Sequence, residues 1–266
     1  MLKVLSSQGP LHDLERVASE RIAGDQTMSE SGENMASLPW KIEALRFSFL
    51  NHAEECLGEG FSWNSITSAP PETVTAKPAM GLKIEEGPWL NGTLSVSKQF
   101  GRIDVVYAAI PNVDSFPNAG DLDQILPVII DQLNGADGVV AERVGFGGVL
   151  LLPVDTVAEG YQILRRLLPF VSFEEDMNEF FLQVNRKKNS ARGMKINELS
   201  KWSCLSLKSL SLMGDSVTIQ PVELSAVRME FDINNAEALL GGDGDICGLL
   251  TELVERLLRI SVEGAL

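Results

Sequence analysis

Histidine is almost missing from this chain of 266 residues, in which His12 and His52 are the two examples. Serine and cysteine nucleophiles depend on a neighbouring general base, and histidine is the side chain that most often supplies it. Both histidines also precede most of the strand and helix patterns described below. The scarcity therefore excludes most Ser–His and Cys–His catalysis and indicates that the protein is not an enzyme of those classes.

Cysteine is also scarce, since Cys56, Cys204 and Cys247 form the complete set and lie far apart. Three such residues imply no disulfide framework and favour a reducing compartment. No apolar run approaches the roughly 20 residues that a membrane-spanning helix needs, and residues 1–9 lack the apolar stretch of a secretory signal. The sequence therefore predicts a cytoplasmic protein with no membrane partner.

Basic residues are outnumbered, because 22 Lys and Arg stand against 37 Asp and Glu and leave a formal net charge of −15. A general nucleic-acid binder needs a surplus of Lys and Arg to neutralise phosphates. An anionic membrane surface would repel the same chain. This balance favours partners that are basic proteins and predicts that nucleic acid is not bound.

The chain also lacks the short motifs that mark nucleotide, metal and cofactor sites. It has no Walker A sequence and no Gly-x-Gly-x-x-Gly, and the glycine-rich stretch 145–148 lies inside an apolar run. His52 and Cys56 would share one helix face, but two ligands leave a zinc site half built. The stretch 241–245 lacks the closing Glu of a calcium loop, and Asp245 is expected to cap the last helix instead. We therefore expect no catalytic residue, no metal site and no cofactor.

Two segments share a strand–strand–helix pattern, and the rest of the chain is organised around them. Residues 102–106 and 228–232 alternate charged and apolar side chains with the period of a half-buried strand. An alternating stretch, 94–97 or 217–220, precedes each of them, and an amphipathic helix follows each. The apolar stripes of the two helices have the same spacing and consist of Ile125, Leu126, Ile129, Ile130 and Leu133 in the first and Leu249, Leu250, Leu253, Val254 and Leu257 in the second.

A hairpin with one apolar face and a helix with an apolar stripe must pack against each other to remove both apolar surfaces from water. The pattern therefore predicts an α+β fold: a largely antiparallel sheet with helices packed on one face, built as two pseudo-repeated strand–strand–helix halves. Residues 1–38 are expected to form a flexible N-terminal extension, because their polar stretch has little to bury. Residues 39–266 would form the α+β domain, with halves at 39–170 and 171–266.

The remaining elements follow from local patterns. Residues 42–50 predict a first strand with Leu45, Phe47 and Phe49 on one face. Four prolines within 69–88 indicate a long loop, because proline breaks ladders and helices alike. The other predictions are a buried central strand with a glycine bulge at 139–154, a helix at 157–168 capped by Asp155 or Thr156, strands at 180–184 and 194–212, and outward-facing carboxylates Asp104, Glu230 and Asp232 paired with Arg102 and Arg228.

Positive charge is concentrated in one region of this acidic chain. Five of the 22 basic residues lie between positions 186 and 195, in a segment expected to form a polar loop at 185–193. Arginine forks and asparagine amides bind phosphate or carboxylate groups, and tryptophan stacks on rings or anchors a partner. The alternative is a solvated loop that only joins two strands. The candidate ligand- or partner-binding residues are Asn185, Arg186, Arg192, Lys201 and Trp202.

The same region resembles a known family, through Phe181, Gln183, Val184, Asn185, Arg186, Ser190, Ile196, Asn197, Leu199, Ser200, Lys201, Trp202 and Ser203. These residues are similar to an uncharacterised, sporadically distributed family of bacterial proteins that is often encoded near mobile elements. The resemblance extends more loosely from Trp40 to the C-terminus. It implies no particular activity.

Missing catalytic machinery and an acidic surface together favour a non-enzymatic cytoplasmic module that binds a basic protein partner. An antitoxin-like or defence-associated role would fit the genomic setting that the resemblance implies. The alternative is a binding protein or enzyme for a small anionic molecule, with a pocket between sheet and helices lined by Asn185, Arg186, Arg192 and Lys201. A structural homodimer is the third interpretation.

Overall fold

Alternating apolar and polar residues build one antiparallel sheet in the part of the chain that the structure describes. The computed structural model covers residues 38–50, 61–112, 114–135, 141–174, 177, 179–211, 220–239 and 245–265. These residues belong to one compact unit, Ala36–Leu266. The predictions for residues 1–37, His52, Cys56 and residues 241–244 lie outside the described residues.

Nine strands can be assigned in the described ranges, and every neighbouring pair is antiparallel. Their order across the sheet is β2-β3-β4-β5-β1-β6-β9-β8-β7. The strands are β1 Lys41–Leu50, β2 Thr73–Lys77, β3 Leu82–Trp89, β4 Gly92–Gln99, β5 Arg102–Ala108, β6 Arg143–Val154, β7 Phe181–Asn189, β8 Lys195–Ser211 and β9 Gln220–Asn235.

Four α-helices in the same ranges cover one face of this sheet: α1 Trp63–Thr67, α2 Leu122–Gly135, α3 Val157–Leu167 and α4 Ile246–Glu263. Their contacts reach strand residues on the same face of the sheet, since Trp63 N donates to Glu85 and Gly160 packs against Cys204 and Val227. The prediction of an α+β fold with helices on one side of a largely antiparallel sheet is therefore confirmed. No helix among the described residues is long and apolar enough to cross a membrane.

The core lies between the sheet and the helices. Leu45, Phe47 and Phe49 of β1 are buried there, as their alternation predicts. The rings of Phe47 and Phe146 stack at 4.6 Å across the central pair of strands, and Phe231 meets Phe146 edge-on at 5.0 Å. Each fully buried side chain of this size contributes roughly 1.5–3 kcal/mol. Aromatic packing across β1, β6 and β9 therefore holds the middle of the sheet.

Both long helices form where their apolar stripes predict. In α2 the buried side chains include Ile125, Leu126, Ile129 and Leu133, and in α4 they include Leu249, Leu250, Leu253 and Leu257. Thr156 caps α3 by accepting from Glu159 N at 3.2 Å. Asp245 accepts from Gly248 N at 2.7 Å and caps α4, as expected.

The predicted loop at 69–88 is wrong, because β2, a 3-10 turn at Pro78–Met80 and β3 occupy most of it. Proline is tolerated here because of where each ring sits. Pro78 opens the turn, where it interrupts no ladder. Pro88 pairs with Thr93 of β4 but lies beyond the last pair between β2 and β3, Thr73–Glu86, so it interrupts no bond to β2.

The predicted polar loop at 185–193 is also shorter than expected. β7 continues to Asn189, and the turn begins at Ser190. Alternation continues through the basic residues, with Arg186 opposite Glu198 and Lys188 opposite Ile196. Charge alone suggested a loop, whereas cross-strand pairing with β8 keeps the segment extended.

Two predictions about irregularities need correction. The bulge expected at the glycines of β6 lies on the neighbouring strand, where the register shifts between Ile42 and Ala44 of β1. Gln220, the last residue of the short strand expected at 217–220, belongs to the long β9, and residues 217–219 lie outside the described ranges. In the sheet, β5 lies beside β1 and β9 lies beside β6, and α2 follows β5 in sequence as α4 follows β9. The internal repeat itself stays a prediction.

Candidate functional site

In the described residues, the sheet face opposite the helices carries no helix, and charged side chains alternate on it with apolar ones such as Val106 and Val149. Alternation places Arg46, Asp104, Glu230 and Asp232 on this open face. Arg102 Nε donates to Asp104 at 2.5 Å, and Arg228 donates to Glu230 at 3.2 Å. The expected pairing is confirmed for Asp104 and Glu230, but it is wrong for Asp232, which pairs with Arg46 at 3.4 Å rather than with Arg102 or Arg228.

Trp202 and Lys201 point to opposite faces because they are consecutive residues of β8. Trp202 is fully buried, packs edge-on against Trp40 at 6.3 Å and donates from Nε1 to Ser200 Oγ at 3.0 Å. In this position the ring has no surface on which a ligand or partner could stack. Lys201 lies on the open face and donates to Glu230 at 2.5 Å.

Asn185 and Arg186 are likewise separated by alternation along β7. Asn185 is exposed opposite Leu199 on the open face. Arg186 faces the helix side, where its guanidinium carbon lies 5.7 Å from the Phe170 ring centre. A cation over an aromatic face in this geometry contributes about 0.5–1 kcal/mol at an exposed position.

Arg192 lies in the turn between β7 and β8 and reaches the start of α4. Its guanidinium donates to the Asp245 carboxylate at 2.8 Å and to the Asp245 carbonyl at 3.3 Å. The pKa of Asp245 is lowered, first by the hydrogen bond from Gly248 N and then by Arg192. Arg192 therefore braces a helix cap, and the five predicted residues do not converge on one site.

A buried ionic cluster, which the sequence patterns do not predict, joins β8 to α4. Glu198 is 4% exposed and accepts from Arg256, which is 7% exposed. Arg256 also donates to Glu252 at 2.8 Å and to the Asn189 carbonyl at 2.9 Å, and Lys188 lies 3.3 Å from Glu198. The signal was present in the pattern, because Glu198 shares the parity of Trp202 and Arg256 interrupts the apolar stripe of α4.

An apolar groove of about 460 Å³ lies between α2 and α4 on the helix-covered side. Its walls are formed by Leu122, Asp123, Leu126, Pro127, Ile130, Asp131 and Asn134 of α2 and by Val254 and Leu258 of α4. Leu258 is 41% exposed, although it is a large aliphatic side chain. The groove is therefore an apolar surface that the described part of the chain leaves uncovered.

Three polar residues, Asp123, Asp131 and Asn134, are among those that line the groove, and all three are exposed. Neither Asp123 nor Asp131 forms an ion pair with another described residue. Pro127 lies within α2 and has no N–H, so the Asp123 carbonyl four residues earlier loses its helical donor. Acceptors and negative charge therefore stand at the rim, with no cation from the described chain beside them.

The open-face pair of Lys201 and Glu230 gives a test of local electrostatics. The hydrogen bond from Lys201 is the main cause that lowers the pKa of Glu230, with further lowering by Arg228 against the opposing effect of burial. Because the folded pKa is depressed, the stability from this pair is present above the unfolded pKa and is lost as pH falls through the folded pKa.

We expect Lys201→Met to raise the pKa of Glu230 in an NMR titration of its carboxyl group. At neutral pH the loss in unfolding free energy should be below about 1 kcal/mol, because both partners are partly exposed. Lys187→Met removes an exposed lysine of β7 and should leave the Glu230 titration unchanged. An equal pKa rise in both variants would contradict the local assignment.

Comparisons with protein-family models, with curated proteins and with solved structures gave no match to this chain.

Proposed function

We propose that the protein is a non-enzymatic binding module whose groove between α2 and α4 holds an amphipathic helix from a basic protein partner. The observation that carries this proposal is an uncovered apolar groove with Asp123 and Asp131 at its rim, in a chain of net charge −15. Binding of this kind would fit an antitoxin-like or defence-associated role.

The shape of the groove suits a helix. Its α2 wall runs over 13 residues, from Leu122 to Asn134, and spans about 18 Å or three helical turns. Helix-in-groove recognition places apolar side chains at i, i+3, i+4 and i+7 into such a surface. Leu126, Ile130 and Leu258 offer aliphatic contacts for those anchors and leave no hydrogen bonds to satisfy at the base.

The charge at the rim selects the partner. Lysine or arginine beside the apolar stripe of the incoming helix would meet Asp123 and Asp131, while an acidic helix would be repelled. Rim charges of this kind act mainly on the association rate and weaken with salt. The partner is therefore a helix with an apolar stripe and basic margins.

The test uses two leucine-rich helical peptides of about 14 residues, matched to the groove length and carrying either lysine or glutamate margins. We expect the lysine peptide to bind the wild-type protein in a fluorescence titration, and Leu258→Glu to weaken binding about 30-fold or more, the effect of losing a central contact.

Val128→Glu is the matched control, because Val128 is 40% exposed on α2 but does not line the groove. The proposal predicts that this variant binds as the wild type does. Equal weakening by Val128→Glu and Leu258→Glu, or equal binding of the lysine and glutamate peptides, would overturn it.

A further inference from the structure

The open face of the sheet contains a polar depression of about 310 Å³ that is independent of the groove. Its floor is backbone, because Gly145 of β6 lies between Ser48 of β1 and Asn234 of β9, and Gly147 lies between Arg46 and Asp232. Antiparallel strands stand about 4.8 Å apart, so two missing side chains leave a hollow between neighbouring strands. The two glycines of β6 therefore produce the hollow at the centre of the sheet.

Three arginines surround this hollow. Arg102 and Arg143 flank Leu50 on its two sides, one on β5 and one on β6. Arg46 stands at the other end, opposite Gly147. The side chains that line the hollow thus carry three positive charges and one negative charge, from Asp232, within a chain of net charge −15.

The arginines differ in how firmly they are held. Arg102 binds Asp104 with two short hydrogen bonds of 2.5 and 2.9 Å. Among the described residues, Arg143 makes only long hydrogen bonds, 3.4 Å to the Asn235 carbonyl and 3.5 Å to Asn234 Oδ1, and Arg46 reaches Asp232 at 3.4 Å. Contacts at this length are weak. Two guanidinium groups at the hollow therefore keep donors for another acceptor.

Packing does not require glycine at position 145. A Cβ built there would lie 3.8 Å from its nearest neighbours, and the backbone is not in the left-handed region. Glycine within a strand costs roughly 0.5–1 kcal/mol relative to alanine. The fold would accept a side chain, so what glycine preserves at this position is the hollow.

We infer that this hollow is a binding site for the oxyanion group, phosphate or carboxylate, of a small molecule. Arg143 and Arg46 would bind the anion through guanidinium forks, which match oxyanion geometry. Asp232 competes for Arg46 and limits the affinity. This site lies on the open face of the sheet, whereas the sequence predicts an anion pocket between the sheet and the helices.

The test is a calorimetric titration at low ionic strength with inorganic phosphate in one arm and succinate in the other. We expect saturable binding of at least one, weakened about tenfold or more by Arg143→Met, since hydrogen bonds to charged groups are among the stronger ones. Asp232→Asn should tighten binding, because it removes the competing carboxylate. Preference for phosphate or for succinate identifies the group that the site prefers.

Two further variants distinguish binding in the hollow from a general attraction of anions to positive charge on the protein. Gly145→Val fills the hollow without changing charge and should abolish binding. Arg166→Met removes one exposed arginine of α3, away from the hollow, and should leave binding unchanged. Equal weakening by Arg143→Met and Arg166→Met, unchanged binding in Asp232→Asn, or no saturable binding of either anion would overturn the inference.

Discussion

Arg256→Ala is expected to lower the free energy of unfolding by about 3–5 kcal/mol, measured by urea denaturation at neutral pH. The substitution leaves the Glu198 carboxylate, 4% exposed, without its closest partner. A buried charge that loses its partner keeps its desolvation cost, and this outweighs the contact that was removed. Glu252 and the Asn189 carbonyl lose a donor at the same time.

Arg259→Ala is the matched control for that experiment. Arg259 also approaches Glu198, at 3.7 Å, but its side chain is 46% exposed. Its loss should reduce stability by less than about 1 kcal/mol, as for other exposed ion pairs. The double variant Glu198→Met with Arg256→Met should recover much of the loss, because well-packed apolar residues often replace a buried pair without penalty. Equal effects of the two alanine variants would contradict the assignment of burial as the cause.

Gly148→Ala should destabilise the protein by roughly 3 kcal/mol or more, because the added methyl group has no room at the central strand pair. A Cβ at this position would lie 2.4 Å from the Ala44 carbonyl oxygen and 3.0 Å from the Phe231 ring. The oxygen belongs to the backbone of β1, next to the bulge, so relief requires β1 and β6 to separate. Thermal or urea unfolding monitored by circular dichroism measures the effect.

Gly145→Ala provides the comparison on the same strand. Its Cβ would meet only ordinary contacts, so the unfolded chain loses freedom and the folded chain loses nothing. We expect unchanged stability or a gain of about 0.4–1 kcal/mol. If both alanine variants were equally destabilised, close packing at Gly148 would not be the cause.

The elements that could be predicted are those whose pattern is local. The stripes of α2 and α4 and the alternation of β1 each repeat within one segment, and burial on a single face follows directly from that periodicity. The loops predicted from composition, at 69–88 and 185–193, are the elements that the structure corrects. Pro78 and Pro88 and the charges of β7 are compatible with extended structure when an adjacent strand supplies the pairing. The sequence of one segment does not show which strand will lie beside it.

The predicted site shows the same limit. The predicted site contains both Trp202 and Lys201, which are adjacent in sequence, yet the side chains of adjacent residues in a strand point to opposite faces. Arg186 and Asn185 separate for that reason too. Alternation was available in the sequence and would have assigned Trp202 to the core, but the parity of β8 becomes certain only when its pairing with β9 is known.

The sequence by itself determined the class of the fold, the two amphipathic helices, the acidic character and the lack of common catalytic motifs, because each depends on composition or on spacing within one segment. Only the tertiary structure decided which distant residues meet. Arg256 reaches Glu198 across 58 positions, and Arg46, Arg102 and Arg143 surround one hollow from three strands. Strand order and register set these meetings, and both depend on the whole sheet rather than on any one segment of it.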